Sequence, residues 1–232
     1  MFLSVKNAVK KYGTGDAEVH ALDGADFQLE KGKICVVLGP SGSGKSTLLN
    51  MIGGIDRPDQ GELIVNGKVI SNMNRKELTE YRKEDVGFVF QFYNLIADLS
   101  AEENIQVVAD LCKNPLDIDM IMDTLEIGNL KNRFPDELSG GQQQRIAIAR
   151  AMVKNPSLLL CDELTGALDS HSSKGVLEAV ENLNKEYGTT VVIITHNEKI
   201  AEMADCVIHI KDGKVMSSVE NNQKKPVAEI DL

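Results

Sequence analysis

The stretch "KICVVLGPSGSGKST", residues 33–47, decides the fold. Its first half is a β-branched apolar run of strand length; its second half separates Gly39 from Gly44 by four residues and continues into Lys45, Ser46 and Thr47. A strand that turns through glycines into the helical "TLLNMIGG" is the setting in which backbone N–H groups close around a phosphate at a helix N-terminus. Gly39, Gly42 and Gly44, with Ser41 and Ser43 between them, make the loop. Lys45 then reaches β- and γ-phosphate oxygens, Ser46 ligates Mg²⁺ and Thr47 supports the α-phosphate. Such a pattern arises by chance in about one chain of this length in a hundred, so nucleotide binding is the expectation.

Outward from this loop, short β-branched segments alternate with helical ones, the pattern of an α/β protein with a largely parallel sheet. The expected core strands are "KICVVLG" (33–39), "VGFVFQ" (86–91), "SLLLCDE" (157–163) and "TTVVIITH" (189–196). Asn66-Gly67 and Asp212-Gly213 supply the positive φ angles of antiparallel hairpins. The first hairpin, with the segment before residue 31, predicts a small antiparallel sheet beside the parallel one. Residues 100–154 read as mostly helical, opened by a Ser100/Glu103 capping box and closed by Asn155-Pro156.

The expected organisation is one domain over 1–232. Its antiparallel β part covers about 1–30 and 60–72, and its nucleotide-binding core 31–59, 73–95 and 155–216. An inserted α-helical sub-domain covers 96–154, and a polar, aperiodic tail at 217–232 frays or makes a local contact.

At 232 residues, 42% hydrophobic and 26% charged, the composition is that of an ordinary globular domain. With 25 Lys+Arg against 35 Asp+Glu, net −10, the chain has no overall basic field, and no nucleic acid partner is expected. The longest apolar runs, "ICVVL" and "VVII", are strand-sized, far below the roughly 20 residues that span a bilayer. "MFLSVKNAVKKYG" carries no secretory signal, so a cytoplasmic location is expected. Cys35, Cys112, Cys161 and Cys206 lack the close spacing of metal or redox motifs and read as buried free thiols.

"LLLCDE" places Asp162 and Glu163 at the end of a buried strand, where ligands sit in open α/β sheets. Asp162 suits the Mg²⁺ shell, and Glu163 can polarise the water that attacks a γ-phosphate. His196 and Gln91 end neighbouring strands and can join the γ-phosphate, metal or water shell; Tyr12 can stack on adenine. Taken singly, these are ordinary surface or core side chains, and only the glycine loop gives them a common purpose. "LSGGQQQR", residues 138–145, is a second anion site: Ser139 caps a helix, and Gly140 and Gly141 leave N–H groups approachable before Gln142. It can close the open side of a triphosphate, either within the chain or from a second copy.

Together these motifs resemble the nucleotide-binding subunit of ABC transporters over nearly the whole chain. The resemblance implies a P-loop NTPase fold of ABC type, with ATP and Mg²⁺ as ligands. It implies that Tyr12 is the adenine-stacking aromatic, "GPSGSGKST" the Walker A loop and Gln91 the Q-loop glutamine. "LSGGQ" (Ser139, Gly140, Gly141, Gln142) would be the signature, Glu163 the catalytic carboxylate after Walker B, Asp169 in "GALD" the D-loop acid and His196 the switch histidine. It also chooses the second copy: two subunits pack head to tail, the signature of one covering ATP on the Walker A loop of the other.

"SGSGKSTLLNMIGGIDRP", "VGFVFQFYNLIADLSAEENI" and "LSGGQQQRIAIARA" are similar to the branch of lipoprotein-release, macrolide-export and peptide-antibiotic-resistance ATPases. That branch implies a membrane permease partner, peripheral attachment to the inner face of the membrane, and a permease contact at Gln91 to Leu99, whose apolar residues Phe92, Leu95 and Ile96 read equally as local core. Leu164 departs from the Pro usual in the family, which predicts altered turnover, and the helical stretch from Glu103 to Ile127 is a few residues short. A soluble ABC-type ATPase is the competing class, but the long coiled coil or second cassette of its members is missing from these 232 residues. A cell-division mechanotransmission ATPase shares the same motifs. A GTPase is disfavoured, because "NKEY" at 184–187 lacks the Asp of a base-recognition motif.

Overall fold

Every residue of the strand Ile34–Leu38 (β3) is buried, as a strand covered on both faces must be. The computed structural model describes residues 1–232, the side chain of Asp16 excepted. Before β3 come two longer, half-exposed strands, Leu3–Tyr12 (β1) and Val19–Leu29 (β2). After it come Lys45–Ile52 (α1), Gln60–Val65 (β4), Lys68–Val69 (β5), Arg75–Glu84 (α2) and Val86–Val89 (β6). The middle of the chain holds Ala101–Ala109 (α3), Ile118–Thr124 (α4) and Gly140–Met152 (α5). Leu158–Asp162 (β7), Ser170–Tyr187 (α6), Thr190–Thr195 (β8), Cys206–Lys211 (β9) and Lys214–Glu220 (β10) complete it.

The half-exposed strands form an antiparallel sheet of order β2-β1-β4-β5, closed by Asn66 (φ 48°) and Gly67 (φ 77°). The second sheet has the order β10-β9-β3-β8-β7-β6. Its strands β9, β3, β8, β7 and β6 run parallel, and β10 returns antiparallel on β9. Successive residues of a strand face opposite sides. Ile34, Val36 and Leu38 therefore pack with the residues of α5 and α6, while Cys35 and Val37 pack with α1 and the antiparallel sheet. The helices start where the sequence caps them: Ser100 with Glu103 opens α3, Ser139 with Gln142 opens α5, and Asp169 opens α6.

Several expectations are corrected. The segment before Asp212-Gly213 is more than one arm of a hairpin: β9 is also a parallel neighbour of β3. Its alternating burial reads as an edge strand, and nothing local reveals the strand on its other side. Residues 100–154 are mostly helical as read, with α3, α4 and α5 linked through single 3-10 turns at Gly128–Leu130 and Pro135–Glu137. Of the two outcomes expected for 217–232, fraying or a local contact, the structure shows the contact, and only the reading of the segment as a tail from 217 is corrected. Ser217 to Glu220 belong to β10, Val227 and Ile230 are buried, and Lys174 Nζ donates to the carbonyl of Ala228 at 2.5 Å. Cys35, Cys161 and Cys206 are buried free thiols and Cys112 is half-buried. Among the described residues no helix is long and apolar enough to cross a membrane.

Candidate functional site

The loop between β3 and α1 wraps tightly because its glycines leave room for backbone. A Cβ on Gly39 would stand 2.2 Å from the Ile210 carbonyl oxygen of β9, and one on Gly44 (φ 103°) would stand 2.3 Å from the Ala21 oxygen. Gly42 (φ 77°) is the opposite case, with nothing within 4 Å of a built Cβ, so its backbone borders open space. The Gly213 N–H donates to the Ser43 carbonyl at 3.0 Å, so the β9–β10 turn carries the loop from below. Lys45 is buried, and its Nζ donates to the Gly39 and Pro40 carbonyls at 2.8 and 2.9 Å.

Parallel strands β6, β7 and β8 end beside this loop and deliver Gln91, Asp162 with Glu163, and His196 to one cleft of about 570 Å³. The cleft is also lined by Ser41, Gly42, Gly44, Lys45, Ser46 and Thr47. Burial, and then the neighbouring Glu163 carboxylate, push the Asp162 carboxyl above its ordinary pKa; Lys45 pulls the other way. Glu163 lies at φ 50°, a backbone conformation that costs a non-glycine residue on the order of 1–3 kcal/mol. Its amide donates to the Ile194 carbonyl at 3.0 Å, and its carboxylate lies 3.0 Å from His196 Nδ1. Leu164 is buried in the core; a Pro there would push Glu163 toward the extended region, so this chain's residue permits the left-handed turn.

Tyr12, at the end of β1, lies beside Thr47, and desolvation is the first cause of its raised pKa. Its hydroxyl donates to Asp56 at 2.6 Å, and the Lys10 ammonium sits 5.3 Å from its ring centre. Val19 and Ala21 of β2, which the sequence reading passed over, line the cleft near it.

Ser139, Gly141 and Gln142 stand elsewhere, in a cleft of about 520 Å³ between the starts of α5 and α6. Ser139 Oγ accepts from the Gln142 amide at 3.4 Å, and Gln142 Oε1 accepts from the Ser139 amide at 2.9 Å. Asp169 caps α6 by accepting from the Ser172 amide and hydroxyl at 2.9 and 2.7 Å, which holds its carboxyl below the usual range. Gly140 faces inward: a Cβ there would stand 2.6 Å from Tyr93 Oη. The fold thus brings Ser41, Gly42, Lys45, Ser46, Gln91, Asp162, Glu163 and His196 to one cleft and Ser139, Gly141 and Gln142 to another, while Tyr12, Gly39, Ser43, Gly140 and Asp169 line neither.

A triphosphate with Mg²⁺ fits the first cleft. Ser43 Oγ is buried without a hydrogen-bond partner, and Lys45, with two loop carbonyls as partners, has a third N–H to give. Ser46, Gln91 and Asp162 offer oxygen ligands only, suited to a hard cation that takes its remaining ligands from phosphates and water. Sequence reading missed the supporting residues: Gly213 and Ile210 beneath the loop, and Tyr93, Gln144 and Arg150 behind Gln91. The Asp212-Gly213 turn was legible as a turn; its contact with the loop was not.

A family profile described as ABC transporter matches residues 22–166. The macrolide export ATP-binding/permease protein MacB of Hyphomonas neptunium is 42% identical over 95% of this chain and 35% of its own length. The lipoprotein-releasing system ATP-binding protein LolD 2 of Chlorobaculum tepidum is 39% identical over 94% of this chain and 92% of its own. The chain spans about half the length (50%) of other curated relatives it matches. Among solved structures, the dimeric post-hydrolysis state of the ATP-binding cassette MJ0796 of Methanocaldococcus jannaschii, bound to ADP and Pi, superposes with a TM-score of 0.84. It is 36% identical and covers 94% of this chain and 98% of that one.

Proposed function

This chain belongs to the ABC transporter family, and from that premise we propose that it is an ATP-hydrolysing cassette of which two copies close around two ATP molecules and drive a membrane permease. The observation that supports this most is the division of phosphate-binding chemistry between two clefts of one chain. Head-to-tail pairing joins the Walker A side of one copy to the signature side of the other. The dimeric, ADP- and Pi-bound neighbour is consistent with it.

In this reading Lys45 exchanges the Gly39 and Pro40 carbonyls for β- and γ-phosphate oxygens, and Ser46, Gln91 and Asp162 would hold Mg²⁺, which would offset the negative charge of the phosphates. Glu163 accepts the proton of the attacking water as its oxygen bonds to phosphorus, and the bridging oxygen leaves with ADP. His196 orients the Glu163 carboxylate, and Tyr12 flanks the base. From the partner copy, Ser139 and the amides of Gly140, Gly141 and Gln142 cover the γ-phosphate, and Asp169 orders the adjoining turn.

The permease contact falls on the segment after β6. Phe92 and Ile96 are exposed there, Phe92 by 72%, with Phe90 beside them, while Leu95, expected at the contact, packs against the core instead; large apolar groups grouped on a surface mark contact sites. Docking there would hold the cassette at the inner membrane face. Glu163→Gln tests the core of the proposal: hydrolysis falls by about a hundredfold or more, ATP still binds, and light scattering reports an ATP-dependent dimer. A variant that stays monomeric at saturating ATP would overturn the shared site.

A further inference from the structure

Tyr12 ends β1 with its ring 44% exposed, so burial alone does little to fix its rotamer. Polar contacts from the connection between α1 and β4 do so instead. Asp56 Oδ2 accepts from the Tyr12 hydroxyl at 2.6 Å, and Asp56 Oδ1 accepts from Lys10 Nζ at 2.8 Å. Lys10 Nζ donates again to the Arg57 carbonyl at 2.8 Å. Its side chain is nearly buried, and its ammonium lies over one face of the Tyr12 ring, which leaves the other face to a nucleotide base. The backbone is stitched in the same place: the Lys11 amide donates to Asp59 Oδ2 at 2.7 Å, and the Asp59 amide donates to the Val9 carbonyl at 2.8 Å.

Asp56 is itself tied to the helix that follows the phosphate loop. The amides of Ile55 and Asp56 donate to the carbonyl of Asn50, on the last turn of α1, at 2.9 and 3.2 Å, while the first turn of α1 carries Lys45, Ser46 and Thr47. One short helix thus fixes the separation between the phosphate loop and the ring. From this juxtaposition, and resting on the reading of Tyr12 as the residue beside the base, we infer that Asp56 is a positioning residue. It holds the Tyr12 ring by its hydroxyl at a set distance from the phosphate loop, so that base and triphosphate engage together. A hydroxyl donated to a carboxylate is among the stronger hydrogen bonds, and its loss frees the ring to leave the stacking position. Lys10 has a second part: it neutralises Asp56, whose charge would otherwise stand near a polyanionic ligand.

Steady-state ATP hydrolysis by the full chain tests this in Asp56→Ala, Tyr12→Phe, Tyr12→Ala and the double variant Tyr12→Ala/Asp56→Ala. Tyr12→Ala, which removes the stacking surface, should raise KM for ATP by about tenfold. Asp56→Ala and Tyr12→Phe each break the hydroxyl–carboxylate bond and should raise KM by about threefold to fivefold. In Asp56→Ala, kcat should stay within about twofold of the parent, because uniform binding is what is lost. In the Tyr12→Ala background, Asp56→Ala should change KM by less than about 1.5-fold, since a residue that acts through the ring has nothing to act on once the ring is gone.

An Asp56→Ala effect that persists undiminished in the Tyr12→Ala background overturns the inference. So does the parent's KM in Tyr12→Phe, or in Asp56→Ala where its Tm shows a folded protein; if Asp56→Ala is unfolded, Tyr12→Phe decides alone. The parent's KM in Tyr12→Ala overturns the placing of Tyr12 beside the base, and the inference with it, so the two failures are distinct.

Discussion

Asp162 shows how a single residue trades stability for chemistry. Its carboxyl has a raised pKa because burial and the Glu163 carboxylate both oppose its charge. A carboxyl that ionises less readily folded than unfolded lowers stability as pH rises through the unfolded carboxylate range, and the loss is complete above the folded pKa. Asp162→Asn should therefore raise Tm at neutral pH in the absence of nucleotide, with the gain shrinking as pH falls through the raised folded pKa and gone below about pH 4. The same variant should lose on the order of a hundredfold in Mg²⁺-dependent hydrolysis. Thermal unfolding at both pH values with a phosphate-release assay checks this, and a fall in Tm at neutral pH would contradict it. Glu163 stores strain in the same way, its φ of 50° holding the carboxylate against His196. That conformation was not legible, because Glu-Leu carries no turn signal, whereas Asp and Glu at a strand end did announce an acid pair.

At the scale of elements, the connection from β6 to α3 is ordered by side chains of the helices around it. Asn104 of α3 is fully buried; its Nδ2 donates to the carbonyls of Ile96, Leu99 and Ser100 at 3.1, 2.9 and 3.0 Å, and its Oδ1 accepts from the Ile96 amide at 2.8 Å. Replacing it with Leu strands those backbone groups. Asn104→Leu should lower unfolding free energy by about 1–3 kcal/mol in urea titration, and amide exchange at Ile96 should accelerate. Slow exchange in a destabilised variant would show that other groups order the segment. Helix starts were legible here, since capping residues lie within three positions of one another in sequence. The partners of Asn104 and Arg150 were not, because a polar side chain on a helix gives no local sign of which loop will pass it.

The whole molecule opens two separate clefts and ties down its C-terminal residues. Val227 and Ile230 are buried in the cluster that contains α5 and α6, and Lys174, which lines the signature cleft, is held by the Ala228 carbonyl. Ile230→Ala should destabilise the chain by about 2–5 kcal/mol, measured by denaturant unfolding; a change below about 0.5 kcal/mol would mean the segment is detached in solution. Sequence alone determined the phosphate loop, the strand-end acids, the alternation of strands and helices and the capped glycine start of α5. Each of these is written in residues close together, where dihedral preference, capping and hydrophobic period act. Only the tertiary structure decided that β9 lies beside β3, that Val227–Glu229 packs onto α6, and that the glycine start of α5 opens into a different cleft from the P-loop. Those outcomes depend on which distant surfaces bury one another, and burial is non-directional, so it leaves no pairing signal in either segment taken alone.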